Sequence, residues 1–562
     1  MGEKRIHSFS MNPVVAWRTF FLTIVVFVFA DLPVTYAQQP GQSASPTQAP
    51  AAQQPSNPAP SSSAPSNPAP QNPAQPSGTP PNPGPPKDDF KITPREAQEL
   101  FHSIDEILEF DSKETGLPIK HEVKRRLANR DEVVSYLTKH MNDEDTKRLR
   151  RSELVLKKFG LLPHDFNLET FLVALLREQV AGYYDPKTKT VNLLDWVPME
   201  EQEPVIAHEL THALQDQTVN MEKWMKKGDR DLAEIHHDPT PQDIVDDEID
   251  DVREAVIEGQ AQAMMFQYAI APTHHSIVDA PSLVDAMEEE TMTGDADTKV
   301  FNAAPIFMKE SLTFPYSYGM EFVIKLLRAG GKEKAFAGLL KNPPVTTRQI
   351  MQPETYLSGE KIDPIPVVDF KRDFAGYQKF DIGAMGEFDV AVLIEQYAGK
   401  PESKKMYPAW RGGYYFAVKS KAESKAESKA TDSTGPLGLL YVSRWASDDA
   451  AAEFAEIYAE SLKRRYKKAE ETGAAAVSVP EKPESAKADP ANPDAAEDDA
   501  AKDKNDQAKV TGRLRGRHVW TTDEGAVVIE EHGDTVVVSE SLDAATTAMV
   551  DKEVFGPLAA VK

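Results

Sequence analysis

The sequence predicts an α+β chain: a mainly helical first part interrupted by one small strand hairpin, then a smaller C-terminal α+β domain. Three observations carry that expectation. Thr93-Pro94-Arg95-Glu96 and Thr240-Pro241-Gln242-Asp243 each place a capping Thr three residues before an acid, with Pro at the first helical position. Two short β-prone runs, Val180 to Tyr184 and Thr190 to Leu194, flank Asp185-Pro186-Lys187-Thr188 as a hairpin requires. Beyond residue 363 the β-prone runs 413–418, 437–445, 517–530 and 535–540 surround a single strong helix signal, 448–468, capped by Ser447.

Composition removes several classes of function. With 40% hydrophobic and 27% charged residues among 562, the chain is neither collagen-like nor a multi-span membrane protein nor wholly disordered. It has no cysteine, which excludes disulfide scaffolds, thiol nucleophiles and Cys-ligated metal centres. The 63 basic against 89 acidic residues, a net charge of −26, offer no basic face for phosphates, so no nucleic-acid partner is expected.

Residues 1–37 read as a signal peptide. Lys4, Arg5 and Arg18 precede the apolar run Thr19 to Ala30, then come Pro33 and the small-residue site Thr35-Tyr36-Ala37. A membrane span needs about 20 apolar residues, more than this run supplies. The expectation is export to a periplasmic or extracellular location by the general secretory route. The alternative is an uncleaved membrane anchor in which Arg18 snorkels. Residues 38–87 hold 16 of the 43 prolines and no aromatic, Leu, Ile or Val, the composition of a disordered linker. The repeat at Lys421 to Lys429 and the acidic tract 471–509 read as solvated inserts. The folded parts are then a helical N-terminal region, 88–165, a chemistry-bearing domain, 166–362, and the C-terminal domain, 363–562.

The chemistry begins at Glu203-Pro204-Val205-Ile206-Ala207-His208-Glu209-Leu210-Thr211-His212. Pro204 suits a helix start, and Val205, Ile206, Leu210, Ala213 and Leu214 supply a buried face. His208 and His212, four apart, project from one side of that helix one turn from each other, as a tetrahedral zinc requires. A zinc held by neutral ligands and one carboxylate keeps a position for water, lowers its pKa towards 7 and needs a base; Glu209 is placed for that role. Gln215 and Thr218 stand where the metzincin arrangement needs Gly and His or Asp, so the third ligand lies elsewhere. The helix opened by Thr240 offers Asp247, Asp251, Glu254 and Glu258 as one stripe. One of these four faces the metal; a solvated face accounts for Asp247 and Asp251.

His208-Glu209-Leu210-Thr211-His212 followed by Glu258-Gly259-Gln260-Ala261 resembles the gluzincin zinc metallopeptidases, most closely poorly characterised exported bacterial members. Phe159 to Pro163, Ala181 to Pro186, Phe314 to Gly319 and Pro353 to Leu357 extend the resemblance over roughly residues 150 to 360. It implies a zincin-like metallopeptidase domain holding one Zn2+, with Glu258 as third ligand and Glu254 beside it; a thermolysin-like reading puts the ligand at Glu254. It also implies an edge-strand hairpin beside the metal helix, here Tyr183 and Tyr184, that pairs with an extended peptide or protein substrate. Tyr316 and Tyr318 are the candidate oxyanion donors, with His236 or His237 behind them. Gln352 departs from the pattern, where His would precede the Pro-Glu pair.

The expected function is a zinc-dependent peptide hydrolase, an endopeptidase whose zinc-bound water is activated by Glu209. Two alternatives stay open: an inactive metal-binding protein that recognises peptides or cell-envelope partners, and a zinc hydrolase of another amide or ester.

Overall fold

The computed structural model describes residues 91–129, 131–133, 143–179, 182–197, 199–226, 231–235, 237–282, 286, 298–422, 436–475 and 513–556. The signal peptide, the Pro-rich linker, most of both inserts, Ala181 and His236 lie outside the described residues. The chain is α+β, as expected, with a mainly helical first part and an antiparallel sheet.

Helix α1 (Pro94–Thr115) starts at the expected capping box: Thr93 Oγ1 accepts from the Glu96 N–H and the Glu96 carboxylate accepts from the Thr93 N–H. Its buried stripe includes Leu100, Ile104, Ile107 and Leu108, and it packs on the metal-motif helix. The region 88–165 is not helical throughout. Lys124–Ala128 forms strand β1, parallel to β3 (Thr190–Leu194). Lys-Arg-Arg-Leu-Ala has little β-propensity; pairing with the fully buried β3 overrides it. Helices α2 (Asp143–Phe159) and α3 (Leu168–Gln179) follow.

The expected hairpin forms from β2 (Gly182–Asp185) and β3, and the sheet order β1-β3-β2 leaves β2 outermost. Helix α4 (Met199–Val219) carries the histidines. It begins five residues before Pro204, which therefore sits inside it and forfeits one intrahelical hydrogen bond. Gly182 brings β2 down onto α4: a Cβ there would lie 3.1 Å from Val205 Cγ1 and 3.8 Å from Glu209 Cγ.

The second capping box opens α5 (Pro241–Asp246), where Thr240 and Asp243 cap each other's backbone, but this helix stops after six residues. A turn at Asp247 and Glu248 separates it from α6 (Ile249–Ile270), which carries Glu254 and Glu258. Helix α7 (Ser317–Glu333) crosses α6 where two glycines meet. A Cβ on Gly259 would lie 2.2 Å from the Gly319 carbonyl carbon, and one on Gly319 2.3 Å from the Ala255 carbonyl oxygen. Past a kink at Gly330 and Gly331, α7 runs into a π-helical turn, Lys334–Gly338.

The C-terminal part is a seven-stranded antiparallel sheet of order β4-β5-β6-β10-β9-β8-β7. Its strands are β4 (Tyr377–Ala384), β5 (Trp410–Ser420), β6 (Gly438–Trp445), β7 (Ala469–Ala475), β8 (Gly516–Thr522), β9 (Gly525–His532) and β10 (Thr535–Glu540). The run 517–530 is two strands around a turn, and β7 extends four residues past the expected start of the acidic insert at 471. Helices α8 (Glu387–Ala398) and α9 (Asp448–Arg465) pack on it, α9 from the expected Ser447 cap. The sheet is not a separate unit. One hydrophobic core runs from Ile92 to Val538, and Phe159 of α2 meets the rings of Tyr415 and Tyr441 edge-on at 5.6 and 5.7 Å.

Gly259→Ala should be among the most damaging small substitutions in the chain, because its methyl group meets backbone that cannot rotate away. Overpacking typically costs about 1–3 kcal/mol or more. Chemical denaturation of the variant and the parent checks this; equal midpoints would show that α6 and α7 are not in backbone contact.

Candidate metal centre

His208 and His212 stand one turn apart on α4 with ring centroids 4.7 Å apart, and both are fully buried. From α6, Glu258 Oε2 comes within 3.1 Å of His208 Nε2 and 3.4 Å of His212 Nε2. The three donors lie within 4.8 Å of one another, so this buried group could hold a metal ion. A tetrahedral zinc with bonds of about 2.0–2.1 Å separates its ligand atoms by about 3.3–3.4 Å, and two imidazoles with one carboxylate are donors that zinc accepts. The residues fit the cation that the sequence implies.

Glu254, one turn earlier on α6, is buried but does not belong to the convergent trio. The expectation of a solvated face at Asp247 and Asp251 is overturned, since both are buried at 2% and 4% exposure. Asp247 lies in the turn before α6 and accepts from the Ala384 N–H of β4 at 2.8 Å; tertiary contact, not solvent, occupies that side.

Burial is the largest single influence on the four ionisable groups; it sets the direction at Glu209 and His208, and neighbouring charge and hydrogen bonds together overcome it at His212 and Glu258. It pushes Glu209 up to about 8, against the attraction of His212 and of the Tyr184 backbone N–H. It brings His208 down to about 4 despite the Glu258 hydrogen bond. His212 goes the other way: burial would lower it, but the Glu258 charge and hydrogen bond hold it at about 9. Glu258 is correspondingly held at about 2, where the pull of His212 and the hydrogen bonds from both histidines overcome burial. The shifts thus favour a charged pair at Glu258 and His212 and the neutral form of Glu209 beside them.

Of the two candidate oxyanion tyrosines, Tyr316 is at the centre: its ring stacks on His208 at a centroid distance of 6.2 Å. The Gly259–Gly319 contact puts the first turn of α7 beside Glu258 and so brings Tyr316 there. Tyr318 is elsewhere. It packs on Phe314 at 5.5 Å and lines a small cavity with Glu310, Phe388 and Tyr407. His237 is exposed and bonds the Asp238 carbonyl. Tyr183 and Tyr184 lie on the outer strand, but their side chains are buried, and the Tyr184 hydroxyl donates to Asp216 at 2.8 Å. Any role for the hairpin therefore belongs to its backbone. Gln352 donates to Glu387 at 2.6 Å and serves the C-terminal packing.

Three buried glutamines complete the surroundings without having been expected there. Gln215 meets His212 Nδ1 at 2.9 Å, Gln260 meets Gln215, and Gln262 acts on His208. The signal was present in part: Gln215 follows His212 by three residues and so shares its helix face. No protein-family model, curated protein or solved structure matches this chain.

Two outcomes follow for metal binding. The proton on His212 competes with the cation until the pH exceeds its raised pKa of about 9. Zinc affinity in chelator-buffered titrations should therefore climb steeply from pH 6 to 8, up to about tenfold per unit for one displaced proton; a flat profile would mean that Glu258 does not hold His212 charged. Glu258→Gln should abolish tight binding, whereas Glu254→Gln should cost at most about 10- to 100-fold; the reverse order would move the third ligand to Glu254.

Proposed function

We propose that this chain is a zinc-dependent peptide hydrolase, an endopeptidase with a zincin-like arrangement around the metal centre. The observation that carries the reading is the Glu258 carboxylate reaching both imidazoles of one helix turn, with Glu209 buried on the same helix beside them. His208, His212 and Glu258 would hold the zinc. Bound there, zinc supplies a Lewis acid and brings the pKa of a bound water towards 7.

The remaining work falls to the chain's own residues. Glu209 takes the proton of the attacking water and returns it to the leaving nitrogen, and its dry surroundings keep the proton affinity of its carboxylate high enough for that exchange. Tyr316, stacked on His208, is the candidate to donate to the oxygen on which charge develops. The outer strand β2 offers its backbone to an extended peptide, a mode that tolerates many side chains. Export through the N-terminal segment would place the activity outside the cytoplasm, consistent with a folded chain that needs no reduced thiol.

Glu209→Gln separates the metal from the chemistry. It should bind zinc as the parent does and lose about 10²- to 10⁴-fold in turnover of a random peptide library. Equal turnover by the two proteins would remove Glu209 from the mechanism, and no turnover by the zinc-loaded parent would remove the peptidase reading.

A further inference from the structure

Which nitrogen of His212 carries a proton can be deduced from backbone carbonyls that lie away from the centre. Gln260 is fully buried, and its side-chain Nε2 sits 2.7 Å from the Ala335 carbonyl and 3.1 Å from the Phe336 carbonyl, both in the π-helical turn. A carbonyl can only accept, so the donor end of the Gln260 amide must face that turn and its oxygen must face inward. That oxygen lies 2.9 Å from Gln215 Nε2, which also lies 2.9 Å from the Ile257 carbonyl of α6. Two acceptors thus fix the Gln215 amide as well. Its oxygen is left 2.9 Å from His212 Nδ1, and an oxygen there requires a proton on Nδ1.

We propose that Gln215 is a positioning residue for the metal centre: its oriented amide holds His212 protonated on Nδ1, so that Nε2 is the nitrogen left to face the cation. The inference rests on reading His208, His212 and Glu258 as a metal site and adds what keeps one ligand ready for it. The partner is a neutral amide anchored on α6 and the π-helical turn, with no carboxylate involved. A free imidazole can turn over and offer either nitrogen, and partners that remove this freedom typically contribute about 10- to 100-fold in metal affinity.

The test uses the full chain, with zinc as the probe and a chromophoric chelator as competitor. Gln215→Leu should bind zinc about 10- to 100-fold more weakly than the parent, with a disturbed tetrahedral spectrum after cobalt substitution. Parent-like affinity and spectrum in that variant would overturn the inference while leaving the metal site standing. A parent that takes up no zinc would overturn the metal-site reading and this inference with it. Should the leucine variant fail to fold, nitrogen-15 histidine spectra of the zinc-loaded parent decide: His212 bound through Nε2 and protonated on Nδ1 supports the inference, and His212 bound through Nδ1 overturns it.

Discussion

The contact of one carboxylate with two imidazoles is the constraint on which the rest of this structure depends. Any helix with histidines four apart supplies two donors on one face; the third must be delivered by tertiary packing to within tenths of an ångström. Here 50 residues separate His208 from Glu258, and α4 and α6 lie side by side with α1 packed against α4 and α7 against α6. Gly259, adjacent to Glu258, and Gly319 let α6 and α7 touch through their backbones. A spacing set by backbone contact does not adjust with rotamers, so the position of Glu258 is fixed by the same atoms that seat Tyr316 over His208.

Electrostatics in this enclosed place is governed by the exchange of one positive charge for another. Glu258 stays ionised because His212 is held charged beside it, and Glu209 stays neutral because burial penalises a second carboxylate. A divalent cation between the ligands would displace the His212 proton and supply more positive charge than it removes, which also favours an ionised Glu209. A cation bound between these ligands would therefore reverse the balance that the buried groups otherwise favour.

Much of this was legible in the sequence because it is written locally. Both capping boxes, the hairpin at Asp185-Pro186, the Ser447 cap and the histidine spacing are each contained within a few residues, and each is found. What escaped was decided at a distance. Strand β1 has polar, helix-compatible residues and becomes a strand only because β3 offers its edge. Pro204 looked like a helix start because proline is best tolerated there, yet α4 begins earlier and accepts the lost bond. Tyr316 and Tyr318 are indistinguishable in composition; two residues of separation on a helix that begins between them send one to the metal centre and the other to the C-terminal packing. The acids at 247 and 251 had the spacing of a surface stripe, and only the folded chain reveals what covers them.

That cover changes how the C-terminal sheet should be understood. The three residues of the candidate metal group, His208, His212 and Glu258, all precede the C-terminal sheet. The sheet nevertheless touches the turn that starts α6, the helix that carries Glu258. Asp247 accepts from the Ala384 N–H of β4, while its neighbour Glu248 is held from outside the sheet, accepting from both the N–H and the hydroxyl of Thr347, the first residue of the helix Thr347–Met351, at 2.8 and 2.6 Å. These contacts occupy the turn that ends α5 and starts α6, and Glu258 follows Glu248 by ten residues, about 15 Å along a helix. Burial raises the pKa of both Asp247 and Glu248, the latter to about 8, against the hydrogen bonds they accept from Ala384 and Thr347. The break between α5 and α6 is thus the place where the sheet touches the helix that carries Glu258.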